Sequence, residues 1–320
     1  MSESGFARRG RRALSNMSRL LVGLWAATGG GCAPLGGVLG EAHTPGPQPE
    51  FIADLAYVAG GDPAQKLDLL LPAERSPEPL PVVVYLHGGG WVRGDKQQAL
   101  TRMRNVVEEG YAVVSVNYRL SGDAPWPAQL DDAKAALRWV RANAPAYGLD
   151  AERLALLGPS AGGHLAAMLA LTGDDPAFEG ALGEHPSAST RVTAAVILCG
   201  PTNLATLSDP PAWMDSERLE NSPWTLVGRL LGGALKDRRD VAAVASPVNH
   251  ASADDPAVLL VYGTDDPLVP LSQGVELNAR LQALGVSSTL IRVDGAGHLD
   301  LVTPEAFERI DAFLNEHLRR

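Results

Sequence analysis

The chain has 320 residues, 45% hydrophobic and 20% charged, with 34 Gly and 24 Pro, which suffices for one large domain or two small ones with a real core. Its 27 Lys and Arg stand against 37 Asp and Glu, a net charge of -10, and no basic cluster beyond the first 20 residues offers a surface for phosphate backbones, so nucleic acid is not an expected partner. No apolar run reaches the ~18 residues of a spanning helix, and two cysteines, Cys32 and Cys199, allow one disulfide at most and no metal cluster by themselves.

Residues 1–31 carry Arg8, Arg9, Arg11, Arg12 and Arg19 against the single acid Glu3, followed by an apolar stretch over 20–27 and the small residues Thr28-Gly29-Gly30-Gly31. A basic segment, a short apolar segment and small residues before a break are the parts of a signal peptide, and predict export to a bacterial envelope or secretion. The small residues before Cys32 also resemble a lipoprotein cleavage site, which would make lipidated Cys32 a membrane tether. Residues 32–50, rich in Gly and Pro, then read as a linker to a catalytic domain over 51–320.

Beyond the linker, residues 66–71 partly alternate polar and apolar, which predicts an edge or antiparallel strand ended by Pro72. Residues 82–86 and 112–116 are short β-rich apolar runs of the kind buried on both faces of a parallel sheet, with a helical stretch near 97–109 between them. Leu130, Ala133, Leu137 and Val140 recur at helical spacing with Asp131, Lys134, Arg138 and Arg141 off that face, which predicts an amphipathic crossover helix. Strands at 154–157 and 194–198 flank an Ala/Leu-rich helix at 161–171. Residues 201–250 break this rhythm with Pro210-Pro211, Trp213, Trp224 and Gly232-Gly233 around a helical stretch at 224–231. They predict a lid insertion over a site, the alternative being an ordinary surface excursion. Strands at 258–262 and 289–293 then alternate with helices marked by Leu277, Leu281 and Leu284 and by Phe307, Ile310, Leu314 and His317. The whole is an α/β pattern, a mostly parallel central sheet with helices on both faces.

Chemistry concentrates at the predicted strand ends. Gly158-Pro159-Ser160-Ala161-Gly162 is a G-x-S-x-G sequence between a strand and a helix, the context in which a sharp turn holds a serine hydroxyl out at the carboxyl end of a sheet. A helix N-cap role is the bland alternative for Ser160. His87-Gly88-Gly89-Gly90-Trp91 follows another strand; consecutive glycines there allow backbone N–H groups to approach a developing oxyanion, with the Ala161 amide as a further donor. His87 itself reads as a structural histidine that holds the loop. A serine nucleophile needs a base and the base a carboxylate. Asp265 and Asp266 lie past one C-terminal strand and His298 lies past the next in Asp294-Gly295-Ala296-Gly297-His298, where Asp294 is the poorer orienter because the turn is short. His164, His185, His250 and His317 have no such setting, and Cys199 reads as a small buried hydrophobe.

Taken together, His87 to Trp91, Asn117-Tyr118-Arg119, Gly158 to Gly163, Gly263 to Pro270 and Gly295 to His298 resemble the α/β-hydrolase fold. Within it they resemble the esterases with an HGGGW oxyanion loop related to hormone-sensitive lipase and to bacterial feruloyl and acetyl-xylan esterases. The resemblance spans roughly 52–318 and implies Ser160 as nucleophile, His298 as base, Asp266 rather than Asp265 as its orienter, and Gly89, Gly90 and Ala161 as oxyanion donors. It implies loop-holding roles for Asp95, Arg119 and Asp132. The expected activity is hydrolysis of short-chain acyl esters, acetyl or feruloyl among them, on a small molecule or a polysaccharide, through an acyl-enzyme. No metal or organic cofactor is implied. The competing readings are a formamidase-type amidase, whose glycine loop carries an aromatic residue where this chain has Gly90, and a non-catalytic binding protein on the same fold.

Overall fold

Eight strands, β1 (Glu50–Ala56), β2 (Lys66–Leu71), β3 (Leu80–Leu86), β4 (Ala112–Val116), β5 (Leu149–Pro159), β6 (Ala194–Leu198), β7 (Ala257–Gly263) and β8 (Ser288–Val293), form one sheet in the order β1-β2-β4-β3-β5-β6-β7-β8. The computed structural model describes residues 48–75, 77–207, 216–298 and 300–319. The expected signal peptide, Cys32, residues 33–47 of the linker, and Pro210, Pro211 and Trp213 lie outside them.

β2 pairs antiparallel with both β1 and β4, and every pair from β4 to β8 is parallel. The inner strands alternate between two cores. Val82, Val84 and Leu86 face one layer, with Leu137, Val140, Leu165 and Met168, while Val83 and Tyr85 face the other, with Met103, Val107, Ile310 and Leu314. Both faces of these strands are therefore dry, which is why they read as unbroken apolar runs.

The helices are α1 (Ala99–Arg102), α2 (Arg104–Glu108), α3 (Ala128–Tyr147), α4 (Ala161–Leu171), α5 (Ser216–Asn221), α6 (Leu226–Leu231), α7 (Arg239–Val244), α8 (Leu271–Ala283) and α9 (Pro304–Leu318). α3, α4 and α8 supply one layer, and α1, α2 and α9 the other. Two starts carry side-chain caps: Thr303 accepts from the Ala306 amide before α9, and Thr225 from Gly228 before α6. No helix among the described residues is long and apolar enough to cross a membrane.

Three elements differ from expectation. β1 is an added edge strand, largely exposed and with a register shift between Ile52 and Leu55, so its sequence carries no clean alternation; beside it β2 is the antiparallel one of the two forms expected for 66–71. The helical stretch at 97–109 is broken at Met103 into α1 and α2. The polar face of α3 is not solvated. Lys134 and Arg138 are buried beneath the connection between α4 and β6, where both pair with Glu179. Lys134 also donates to Thr172 O at 2.6 Å and Arg138 to Leu182 O at 3.0 Å. Burial pushes the Lys134 ammonium down, against the pull of Glu179.

Replacing Glu179 with Gln leaves two buried cations without a carboxylate. The expected loss is about 3–5 kcal/mol of unfolding free energy in a denaturant titration. A loss below about 1 kcal/mol would mean that the carbonyls alone satisfy the pair.

Candidate active site

β3 and β5 are neighbours in the sheet, but the connections that leave them run toward opposite edges, so a crevice opens at their carboxyl ends. Ser160 stands there, between the last residue of β5 and the first of α4, with φ 54° and ψ -121°. That left-handed φ is uncommon for a residue with a side chain. The turn is held by Ser160 N donating to Leu198 O at 2.7 Å and His164 N to Ser160 O at 2.9 Å. It is tight enough that Gly162 lies against the Leu86 and His87 carbonyls, and a methyl group at Gly162 would overlap them.

His298 reaches the serine from the turn after β8. Its Nε2 lies 2.9 Å from Ser160 Oγ, and its Nδ1 lies 2.7 Å from Asp266 Oδ2. A carboxylate only accepts, so Nδ1 carries the hydrogen and Nε2 is the lone pair that faces the hydroxyl. The other Asp266 oxygen accepts from the amides of Leu268 at 2.8 Å and Val269 at 3.0 Å, which fixes the plane of the carboxylate. Burial lowers the affinity of His298 for a proton. The Asp266 hydrogen bond, joined by contacts with Cys199 and the Asp266 charge, overcomes that, and the imidazole pKa is raised well above its ordinary value. Asp265 instead turns its carboxylate to Thr264, and Asp294 is exposed, so Asp266 alone of the three serves the histidine.

The glycine loop follows β3. Gly88 lies against Pro159 and Ser160, and among the described residues the amides of Gly89 and Gly90 donate to no backbone acceptor. The Ala161 amide, in the first turn of α4, has no intrahelical acceptor and points the positive end of the helix into the same crevice. Gly89 adopts φ 128°, and a methyl group there would overlap the Arg93 carbonyl, so this position requires glycine. His87 is buried, bonded through Nδ1 to Gly88 O at 3.0 Å and stacked on Tyr118 with ring centroids 4.2 Å apart, while Tyr118 donates to His87 O at 2.7 Å. It holds the loop, as expected, and does not touch Ser160. Asp95 accepts from Gln97 N, and Arg119 pairs with buried Asp132 at 2.8 Å; both are loop-holding contacts.

Two residues carry more than their sequence context announced. His164 on α4 accepts from Trp91 Nε1 at 3.2 Å through Nδ1 and donates through Nε2 to Ala245 O at 2.7 Å, which ties the glycine loop to the segment after α7. Cys199, free and buried, has φ 42° and reaches the His298 carbonyl at 3.5 Å, so it floors the site. The Sγ of Cys199 and ligand atoms of Asp266 and His298 lie within 4.8 Å of one another, the one such trio found among the described residues. A metal ion there would have to break the bond between Asp266 and His298.

His87 and His164 are both pushed down to about 4 by burial. At His164 the Ala245 carbonyl pulls the other way without overcoming burial, and the Trp91 N–H aimed at Nδ1 leaves a second ring proton no acceptor there. Both folded values lie below the unfolded 6.5, so between these values the unfolded chain takes up protons that the folded chain refuses, and stability falls as pH drops through the window. About 3 kcal/mol per ring is at stake. The thermal midpoint is therefore expected to fall steeply between pH 6.5 and 4, and His164→Asn to flatten part of that slope; a flat wild-type profile would contradict buried neutral rings.

The BD-FAE family model matches residues 67–281, two-thirds of the chain. The chain belongs to the BD-FAE family. It is 31% identical to esterase LipC of Mycobacterium tuberculosis over 264 residues, covering 80% of this chain and 63% of LipC. It is 32% identical to esterase LipQ of the same organism over 276 residues, covering 83% of this chain and 62% of LipQ. The chain thus spans about six-tenths of the length of these curated relatives. A solved structure, a truncated form of a carbohydrate esterase from gut microbiota, superposes with a TM-score of 0.77 at 28% identity, covering 86% of this chain and 98% of the other. The fold is that of the α/β-hydrolases, and the family lies among its esterases of the hormone-sensitive-lipase type.

Proposed function

We propose that the protein hydrolyses carboxylic esters through an acyl-enzyme on Ser160. The observation that carries this reading is the unbroken relay from Asp266 Oδ2 to His298 Nδ1 and from His298 Nε2 to Ser160 Oγ, at 2.7 and 2.9 Å. As Ser160 Oγ attacks the ester carbonyl, His298 Nε2 takes its proton, and the resulting imidazolium is stabilised by Asp266. The carbonyl oxygen becomes an oxyanion that the amides of Gly89, Gly90 and Ala161 receive. His298 then gives its proton to the departing alcohol. In the second half, a water attacks the acyl carbonyl as it loses a proton to His298, and His298 returns that proton to Ser160 Oγ as the bond to the serine breaks and the acid leaves.

Esterase relatives and the carbohydrate esterase neighbour support the reaction class. We take the substrates to be short-chain acyl esters, acetyl and feruloyl groups on small molecules or polysaccharide among them. Export, with a tether through lipidated Cys32, would place the enzyme where such esters occur outside the cell, and rests on the composition of the leader. The test is labelling by a fluorophosphonate, with mass mapping of the labelled peptide, alongside turnover of acetyl, butyryl, octanoyl and feruloyl esters. Labelling at Ser160 with turnover is expected. A folded protein that neither labels nor turns over would overturn the proposal in favour of a binding role.

A further inference from the structure

Leu226, the first residue of α6, stands on the oxyanion loop. A methyl group at Gly90 would lie 2.8 and 3.0 Å from the two Leu226 Cδ atoms, so the isobutyl group packs over Gly90, while the residue stays 49% exposed. The position is well fixed. Thr225 caps the helix, Val227, Leu230 and Leu231 are buried, and Leu230 O accepts from Trp126 N at 2.7 Å in the segment that follows β4.

The sheet order decides which half of a substrate meets this side chain. The leaving alcohol must stand near His298 Nε2 to receive its proton, and His298 comes from β8, on the β6 to β8 side of Ser160. The oxyanion points to the loop after β3. With the serine, the alcohol and the oxyanion placed, the acyl chain takes the one direction left on the tetrahedral carbon, away from the alcohol and His298. Leu226 stands on the side of Ser160 opposite the β6 to β8 strands, beside the loop after β3, on a helix bonded to the segment after β4.

We propose that Leu226 is the wall that limits acyl-chain length in this enzyme, an inference that rests on the ester-hydrolysis reading above. A side chain seated beside the oxyanion donors contacts the acyl chain close to the carbonyl, where added methylenes collide with it. Discrimination of this kind is worth about tenfold or more per methylene-sized change in a well-formed pocket.

The experiment measures kcat/KM for p-nitrophenyl acetate, butyrate and octanoate, and for acetate esters of alcohols of increasing length, with wild type, Leu226→Ala and Leu226→Phe. The octanoyl-to-acetyl ratio is expected to rise about tenfold or more in Leu226→Ala and to fall in Leu226→Phe, with the ratios of the alcohol series unmoved. Ratios within one preparation do not depend on the fraction of folded enzyme, so partial misfolding of a variant leaves them unchanged. An active wild type whose acyl ratio stays put in both variants overturns this assignment alone, as does a shift confined to the alcohol series. A wild type that hydrolyses none of these esters overturns it together with the proposed function.

Discussion

Ser160→Ala is expected to lower kcat for a short-chain p-nitrophenyl ester by about 10^4 to 10^6-fold and to abolish fluorophosphonate labelling, with the thermal midpoint nearly unchanged. The size of the loss follows from the relay. Without the hydroxyl there is nothing for His298 Nε2 to deprotonate, and no acyl-enzyme can form. What remains is the binding of the ester and the oxyanion amides, which still favour attack by water, so the loss is large but finite. Stability is spared because the contacts that hold the turn run through the backbone of residue 160, from its N–H to Leu198 O and from its C=O to His164 N. Retained activity in a pure sample of this variant would remove Ser160 from the chemistry.

Asp266→Asn should cost about 10^3 to 10^4-fold in kcat, and the structure says why a near-isosteric change would be so damaging. The amides of Leu268 and Val269 fix an acceptor at the Oδ1 position, so the asparagine carbonyl settles there and its NH2 replaces Oδ2 opposite the histidine. That NH2 is a donor. It can only be met by a bare Nδ1, which moves the ring hydrogen to Nε2, facing Ser160, where it blocks general-base action. The pH profile adds a second readout. The Asp266 hydrogen bond and charge hold the His298 pKa above its ordinary value, and the base works deprotonated, so wild-type kcat/KM should fall on the acid side with an apparent pKa above 6.5. In the asparagine variant that limb should move to lower pH while the plateau drops. A variant with wild-type plateau and limb would mean that another group orients His298.

Much of the central sheet could be read in advance because β3, β4 and β6 are dry on both faces, so their apolar runs needed no partner to be recognised. The turn around Ser160 was legible for a similar reason, since the strand, the glycines and the helix that shape it are adjacent in the chain. β1 was hidden because an exposed edge with a shifted register imposes no alternation on its side chains. The charged side of α3 misled for a different reason. Lys134 and Arg138 have the spacing of a solvated face, and only the connection that carries Glu179, about 40 residues downstream, makes that face an interior. His164 and Leu226 belong to the same class. Each acts through contacts with segments more than 70 residues away, Trp91 and Ala245 for the first and the Gly90 loop for the second, and a local window contains neither. The choice of Asp266 over Asp265 lay in the residues that follow it. Its reason lies in the amides of Leu268 and Val269, which turn the carboxylate toward the histidine.

Trp91, Ser160 and Cys199 share one property: each follows a strand, β3, β5 or β6, and each holds a left-handed backbone angle, with φ of 60°, 54° and 42°. The three strands are adjacent in the sheet, so the strained turns gather at its carboxyl end, where Ser160 stands. Robustness and reactivity in this protein are therefore antagonists within the same few turns. A chain relaxed at these three turns would be easier to keep folded, and would present a serine, a base and a row of amides that no longer converge.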